Sequence, residues 1–250
     1  MILYPLFEIT IPVLNEEKKL KMNVLKVSDF ILREMPEASN WKIVVADNGS
    51  TDRTRLIGES LANEFDWIKY IRLDDRGVGR ALKASWGQSQ AEVVGYMDLD
   101  LATDLKHLKE SFTALSSGYD MVYGSRLNRN SVVKGRSIKR EITSRVFNFI
   151  AKHYLNVHFS DGMCGFKFIK RSIFSSLMAG GAQSNDWFFS TELLTVAEWL
   201  EYNIFELPVC WTDSTESKVR IIPLSLQYLK SMIKLKSFKS LPASPPTITY

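Results

Sequence analysis

Five short apolar runs separated by amphipathic segments fill the first 125 residues, and this alternation leaves few folds open. The runs cover residues 6–12, 41–46, 67–73, 91–97 and 120–123, each of strand length and rich in β-branched or aromatic side chains. Between them, Asn15 is expected to cap a helix rich in Glu and Lys reaching about Met35, a second helix starts near Thr51, and a third covers residues 77–89. Leu105, Leu108, Phe112 and Leu115 recur at helical spacing for a fourth. Strands alternating with helices predict an α/β fold, a mostly parallel sheet flanked by helices. The second half is less regular. It reads as helices over residues 138–154, 186–201 and 223–238, with strands at 166–169 and 204–209. The proline-bearing end of the chain reads as a loose tail.

Composition narrows the function classes. A chain of 250 residues, 45% hydrophobic and 24% charged, suits one folded soluble domain with an ordinary core. Cys164 and Cys210 have neither metal-ligand spacing nor a disulfide framework, which points to a reducing, cytoplasmic compartment. His107, His153 and His158 form no metal motif and read as packing or surface residues. No signal peptide is visible, and no apolar run approaches the roughly 20 residues needed to span a bilayer. Net charge is +4, but from Arg126 to Lys152 there are eight Lys or Arg against Glu141 alone, and from Ser217 to Tyr250 six and no acid. Both stretches favour anionic partners. Nucleic acid is not expected, since no nucleic-acid-binding motif is present. Gly77-Val-Gly79 lacks the third glycine and the downstream acid of a dinucleotide fingerprint, and no Walker-type loop occurs.

Three polar segments fall at the C-terminal ends of the expected parallel strands, where ligands of open α/β sheets bind: residues 11–17, 46–52 and 97–100. In the last, Asp98 and Asp100 stand two apart. In an extended chain residues i and i+2 point to the same side, so both carboxylates are expected to leave the strand end on one face, an arrangement suited to a hard divalent cation shared with a phosphate-bearing substrate. Alone, such a pair is more often a loop feature, with Asp104 capping the next helix; its position beside the other two segments gives it weight.

The ordered set Pro-Val-Leu-Asn-Glu, Ala-Asp-Asn-Gly-Ser-Thr-Asp, Arg-Gly-Val-Gly-Arg-Ala, Asp-Leu-Asp and Gly-Ser-Arg resembles the family 2 glycosyltransferases of GT-A fold, over roughly residues 7–222. Among them it looks most like the dolichyl-phosphate mannose and dolichyl-phosphate glucose synthases. Residues 161–167, Asp-Gly-Met-Cys-Gly-Phe-Lys, and the segment from Trp211 to Ser217-Lys218-Val219 are similar to glucosyl-enzyme segments. The resemblance implies an inverting transfer of a hexose from UDP-glucose or GDP-mannose to a polyprenyl phosphate, with Mg2+ or Mn2+. It implies metal and donor roles for Asp98 and Asp100, and donor-pocket roles for Pro12, Asn15, Glu16, Asp47 and Gly79. Arg126, Arg140 and Ser144 would serve the acceptor phosphate, Lys218 the diphosphate, and Asp161 and Glu192 would line the acceptor side. Residues 1–240 would form a single catalytic domain, with a donor half to 125, an acceptor half over 126–222 and a C-terminal amphipathic helix, followed by a tail over 241–250. Asn48, Ala102 and Ser190 depart from the family pattern and leave the donor open. The alternatives are a sugar or glycan acceptor, and a nucleotide-binding module without catalysis.

A lipid acceptor is expected to be met at the cytoplasmic surface of a membrane. The 138–154 helix mixes Lys139, Arg140, Arg145 and Lys152 with Ile138, Ile142, Val146, Phe147, Phe149 and Ile150, and the last helix sets Lys230, Lys234 and Lys236 against an apolar line. Such helices either lie in the headgroup layer or pack their apolar stripes on the core.

Overall fold

A computed structural model describes residues 4–213 and 221–239, with side chains in the last segment from 227 onward. The first half follows the expected alternation: β1 (Phe7–Val13), α1 (Leu20–Glu34), β2 (Trp41–Asp47), α2 (Thr54–Glu64), β3 (Ile68–Arg72), α3 (Val78–Gln88), β4 (Val93–Met97), α4 (Lys106–Ser116) and β5 (Met121–Ser125). The second half comprises β6 (Val132–Lys134), α5 (Ile138–Leu155), β7 (Phe166–Lys170), α6 (Phe174–Ala179), α7 (Phe189–Trp199), β8 (Ile204–Pro208), β9 (Cys210–Thr212) and α8 (Ile221–Lys239).

Seven strands form one sheet in the order β3-β2-β1-β4-β7-β5-β8. All neighbours run parallel except β7, which is antiparallel to both β4 and β5. The strand order reverses direction between β1 and β4, the kind of switch point at which open α/β sheets bind ligands. Alternation along β1 shows why this strand is central. Phe7, Ile9, Ile11 and Val13 enter the core under α1, α2 and α4, while Glu8 and Thr10 face α3 and are just as buried. Their polarity is matched there: Ser85 Oγ donates to Glu8 Oε1 at 3.2 Å, and Trp86 Nε1 donates to Thr10 Oγ1 at 3.2 Å. The opposite face carries a second core beneath α3, α5, α6, α7 and α8.

Two expectations need correction, and one strand pair had no counterpart among them. Asn15 does not cap α1: that helix begins at Leu20, and Asn15 sits in a left-handed turn at φ 55° that joins β1 to it. The second helix begins at Thr54, because residues 48–53 are taken up by the loop that meets Asn15. β6 and β9 went unread. They form a separate parallel pair of three residues each, too short for period-2 patterning to register.

Candidate active site

The three polar segments converge at the C-terminal edge of the sheet, as the topology requires. The 14–17 turn and the 50–54 loop hold each other. Asn15 N–H donates to Ser50 Oγ at 2.9 Å and Asn15 Oδ1 accepts from Thr51 N–H at 2.8 Å. Glu16 N–H donates to Thr54 Oγ1 at 2.8 Å, and Glu17 Oε2 accepts from Arg53 N–H at 3.1 Å. Pro12 pairs with Ala46 beyond the last β1–β4 pair, Thr10 with Tyr96, so it interrupts no ladder toward β4. Asp47, fully buried, accepts from Ser50 N–H at 2.8 Å, Tyr70 Oη at 2.6 Å and Arg72 Nη1 at 2.9 Å. It therefore organises the loop and fixes Arg72 at its rim. Asn48 ties the same loop to α3, its Oδ1 accepting from Gly77 N–H at 3.2 Å.

Gly79 is a close-approach residue. Its N–H donates to Asp186 O at 3.2 Å, and a Cβ would stand 2.4 Å from Ser184 O. Arg80 N–H donates to Asn185 O at 3.0 Å, so the start of α3 is covered by the loop before α7. Glu192 holds that loop: its carboxylate accepts from Ser184 N–H at 2.7 Å and from the Ser184 hydroxyl. Burial raises the Glu192 pKa. Both residues thus shape the wall formed by α3 and α7.

Asp98 and Asp100 are adjacent, but not through an extended strand. β4 ends at Met97, and residues 98–101 turn sharply. Leu101 N–H donates to Asp98 O at 3.3 Å with Leu101 at φ 54°, and Ala102 N–H donates to Asp100 Oδ1 at 3.1 Å. Asp98 N–H donates to Gly165 O at 3.1 Å. Burial, then the charge of Asp100, pushes the Asp98 pKa up to about 7, while Arg126 and Lys167 oppose the shift. Gly165 makes room for this carboxylate, since a Cβ there would lie 2.0 Å from Asp98 Oδ2. Among the described residues no group of three or more His, Cys, Asp or Glu could hold a metal alone. Two crowded carboxylates nevertheless fit a hard cation that completes its shell with water and substrate oxygens.

Behind the pair lies a charged cluster whose central member sequence reasoning left out. Lys167, fully buried, donates to Gly162 O at 3.1 Å, Cys164 O at 2.7 Å and Ser190 Oγ at 2.7 Å, locking the 161–165 turn beneath Asp98. Burial lowers its pKa to about 8. Its place inside the 161–167 segment was the available signal. Ser190, standing where an acid is common in similar enzymes, leaves this ammonium a neutral partner and also accepts from Tyr96 Oη at 2.6 Å. Asp161 forks Arg126, accepting from Nε at 2.7 Å and Nη2 at 2.9 Å, and also accepts the Arg126 N–H at 3.1 Å. Against the cost of burial, Arg126 draws the Asp161 pKa down to about 2. Asp161 is therefore a positioning residue for Arg126. His107 proves structural, its Nε2 accepting from Cys210 N–H at 2.8 Å.

Arg140 and Ser144 share a face of α5 but are engaged separately. Arg140 Nη1 donates to Asp213 Oδ1 at 2.5 Å and Oδ2 at 2.6 Å, while the Ser144 hydroxyl accepts from Arg136. Lys218 lies outside the described residues, as do residues 214–220 and the tail. The large apolar residues of α5 mostly do not pack on the core. Ser144, Asn148, Ala151 and Leu155 face inward, whereas Ile138, Ile142, Val146 and Phe149 are 52–79% exposed. Ile233 on α8 is 62% exposed, although Tyr228, Met232 and Leu235 of that helix are buried. No helix among the described residues is long and apolar enough to cross a membrane.

Residues 8–178 match the protein-family profile described as Glycosyl transferase family 2. Glycosyltransferase AglD of Haloferax volcanii is 33% identical over 216 residues, covering 86% of this chain but 34% of that protein. The human dolichyl-phosphate beta-glucosyltransferase is 26% identical over 224 residues, covering 84% of this chain and 68% of its own length. This chain thus spans about a third of the Haloferax volcanii relative. Among solved structures, glucosyl-3-phosphoglycerate synthase from Mycobacterium tuberculosis with Mn2+ and UDP-glucose superposes at a TM-score of 0.65. It is 15% identical and covers 96% of this chain and 81% of its own, which establishes the GT-A fold.

Proposed function

Since the chain belongs to glycosyl transferase family 2, we propose that it transfers a hexose from a nucleotide-sugar to the phosphate of a polyprenyl lipid. The observation that carries this reading is the placement of a carboxylate pair next to Arg126, an arginine held by a buried carboxylate. The turn that receives the Asp98 N–H also contains Asp161, which forks Arg126. One side suits a cation-bound diphosphate and the other a phosphate nucleophile. The names of the relatives, dolichyl-phosphate beta-glucosyltransferases among them, support a dolichyl-type acceptor, and the UDP-glucose complex of the structural neighbour supports a nucleotide-sugar donor.

The chemistry asks little of a protein base. A phosphate monoester has its second pKa near 6 and is largely dianionic at neutral pH. One of its oxygens bonds to the anomeric carbon as the bond from that carbon to the diphosphate breaks, inverting the carbon. Mg2+ or Mn2+ held by Asp98 and Asp100 would neutralise the departing diphosphate. Pro12, Asn15 and Glu16 would form the edge on which the nucleoside rests, and Asp47 holds that edge from beneath through Ser50, Tyr70 and Arg72. Asp161 and Lys167 keep Arg126 and the 161–165 turn in place before substrate arrives, so the charge is pre-organised. Arg140, with Asp213, and Ser144 stand at the acceptor entrance.

The exposed apolar stripe of α5, with Lys139, Arg145 and Lys152 on the same helix, and Ile233 between Lys230 and Lys234 on α8, fits a peripheral seat in an anionic membrane surface. A screen of radiolabelled UDP- and GDP-sugars with polyprenyl phosphate and with soluble sugars as acceptors tests the assignment. Better transfer to soluble sugars would overturn the lipid reading.

A further inference from the structure

The β6–β9 pair carries Trp211 to the carboxylate turn: Trp211 bridges Thr103, and Thr212 N–H donates to Ala102 O at 2.8 Å. Two guanidinium groups lie over the Trp211 ring, Arg126 with Cζ 5.4 Å and Arg136 with Cζ 5.9 Å from its centroid. Arg136, in the turn before α5, belongs to none of the segments that carry the family resemblance.

The surroundings of Arg136 are unusual for a structural arginine. Its side chain is 6% exposed. Nη2 donates to the Ser144 hydroxyl, while Nη1 is buried and stands 3.0 Å from Glu141 Oε2 as an ion pair without an aligned hydrogen bond. Glu141 is also engaged by Arg145, whose Nε donates to Oε1 at 2.6 Å. Arg126 spends Nε and Nη2 on Asp161, so Nη1 lies outside that fork. Burial and then the charge of Arg126 lower the Arg136 pKa. Asp161 and Glu141 each pair with one of these guanidinium groups, yet two like charges over one ring still repel, and an anion received between them would relieve that repulsion. Planar guanidinium groups suit a phosphate, which accepts on several oxygens at once.

We propose that Arg136 and Arg126, set over Trp211, form a phosphate-monoester site, and that this site receives the acceptor phosphate. The second clause rests on the function proposed above. Arg136 would then contact substrate directly, while Ser144 aims it.

Acceptor KM, donor KM and the rise in Tm produced by inorganic phosphate, measured for the wild type, Arg136→Gln and Arg136→Lys, test this. Loss of a charge-assisted bond to phosphate is expected to raise the acceptor KM of Arg136→Gln roughly 10- to 100-fold, with donor KM unchanged and the phosphate-induced Tm rise reduced. Arg136→Lys, which keeps the charge and loses the fork, should fall between and guards against misfolding of the Gln variant. An unchanged acceptor KM, or a raised donor KM alone, overturns the proposal. A wild type that transfers nothing to polyprenyl phosphate, yet gains Tm from phosphate through Arg136, removes the acceptor reading and leaves the anion site standing. A wild type with neither property overturns both.

Discussion

Replacing Asp161 with Asn removes the charge that holds Arg126. Asp161 is fully buried and accepts from Arg126 Nε, Nη2 and N–H and from Met163 N–H. Its pKa falls from the ordinary 3.8 to about 2, chiefly because the Arg126 charge and fork outweigh burial. A difference of that size is worth about 2.5 kcal/mol at neutral pH. Breaking a buried pair from one side typically costs about 3–5 kcal/mol, because the surviving charge is left uncompensated. We therefore expect Asp161→Asn to lose about 3 kcal/mol in urea unfolding at pH 7, and roughly 6–12 °C in Tm for a domain of this size. The sign with pH follows from the lowered folded-state pKa. The contribution is fully present above the unfolded value of 3.8 and disappears as pH falls through 3.8 toward 2. Wild type and variant should thus differ by a constant amount from about pH 8 to about pH 5 and converge below that range. A difference under about 0.5 kcal/mol at pH 7, the scale of an ordinary surface substitution, would refute the positioning role.

Gly165→Ala, whose Cβ would sit 2.0 Å from Asp98 Oδ2, should cost about 1–3 kcal/mol of overpacking or displace Asp98. Calorimetry should then show weakened Mn2+-dependent UDP binding, and unaltered binding would contradict the cradle. The raised pKa of Asp98, about 7, means that without cation its contribution to stability is present below 3.8 and is lost as pH rises through about 7. Thermal unfolding of metal-free protein between pH 5 and 8 should show this decline, flattened in Asp98→Asn and relieved by Mn2+. Ile142→Glu with Phe149→Glu should abolish sedimentation with anionic liposomes at low salt while leaving Tm nearly unchanged, because both side chains are exposed; undiminished liposome binding would remove α5 from the membrane contact.

The polar edge at the C-terminal ends of the strands was legible in the sequence because it is built locally. Each polar segment directly follows a periodic apolar strand, so strand order alone gathers Asn15, Asp47 and Asp98. What those side chains touch was not legible. Asp47 meets Tyr70 and Arg72 from β3, and Asp161 meets Arg126, 35 positions earlier. Such long-range partners leave no period or spacing. The reversed β7 is likewise a tertiary choice. It inserts between β4 and β5 and delivers Gly165 and Lys167 under the carboxylate turn, whereas chain order would have predicted β5 next to β4. Arg136 escaped notice because its significance comes from Trp211, 75 residues on, through a three-residue strand pair. For α5 the sequence left two readings open, headgroup contact or core packing. Its periodicity is sound, but the core accepts Ser144 and Asn148 and leaves the large apolar residues outside.

The central claim is that a hexose moves from a cation-bound nucleotide-sugar to a lipid phosphate. The most direct measurement is incubation of the protein with a radiolabelled donor, polyprenyl phosphate and Mn2+, followed by organic extraction and determination of the anomeric configuration of the product. The account predicts a lipid-linked glycosyl phosphate of inverted configuration, formed only with divalent cation and lost in Asp100→Ala. Lipid-soluble label that persists in chelator or in Asp100→Ala, or label found only in water-soluble glycan, would contradict it.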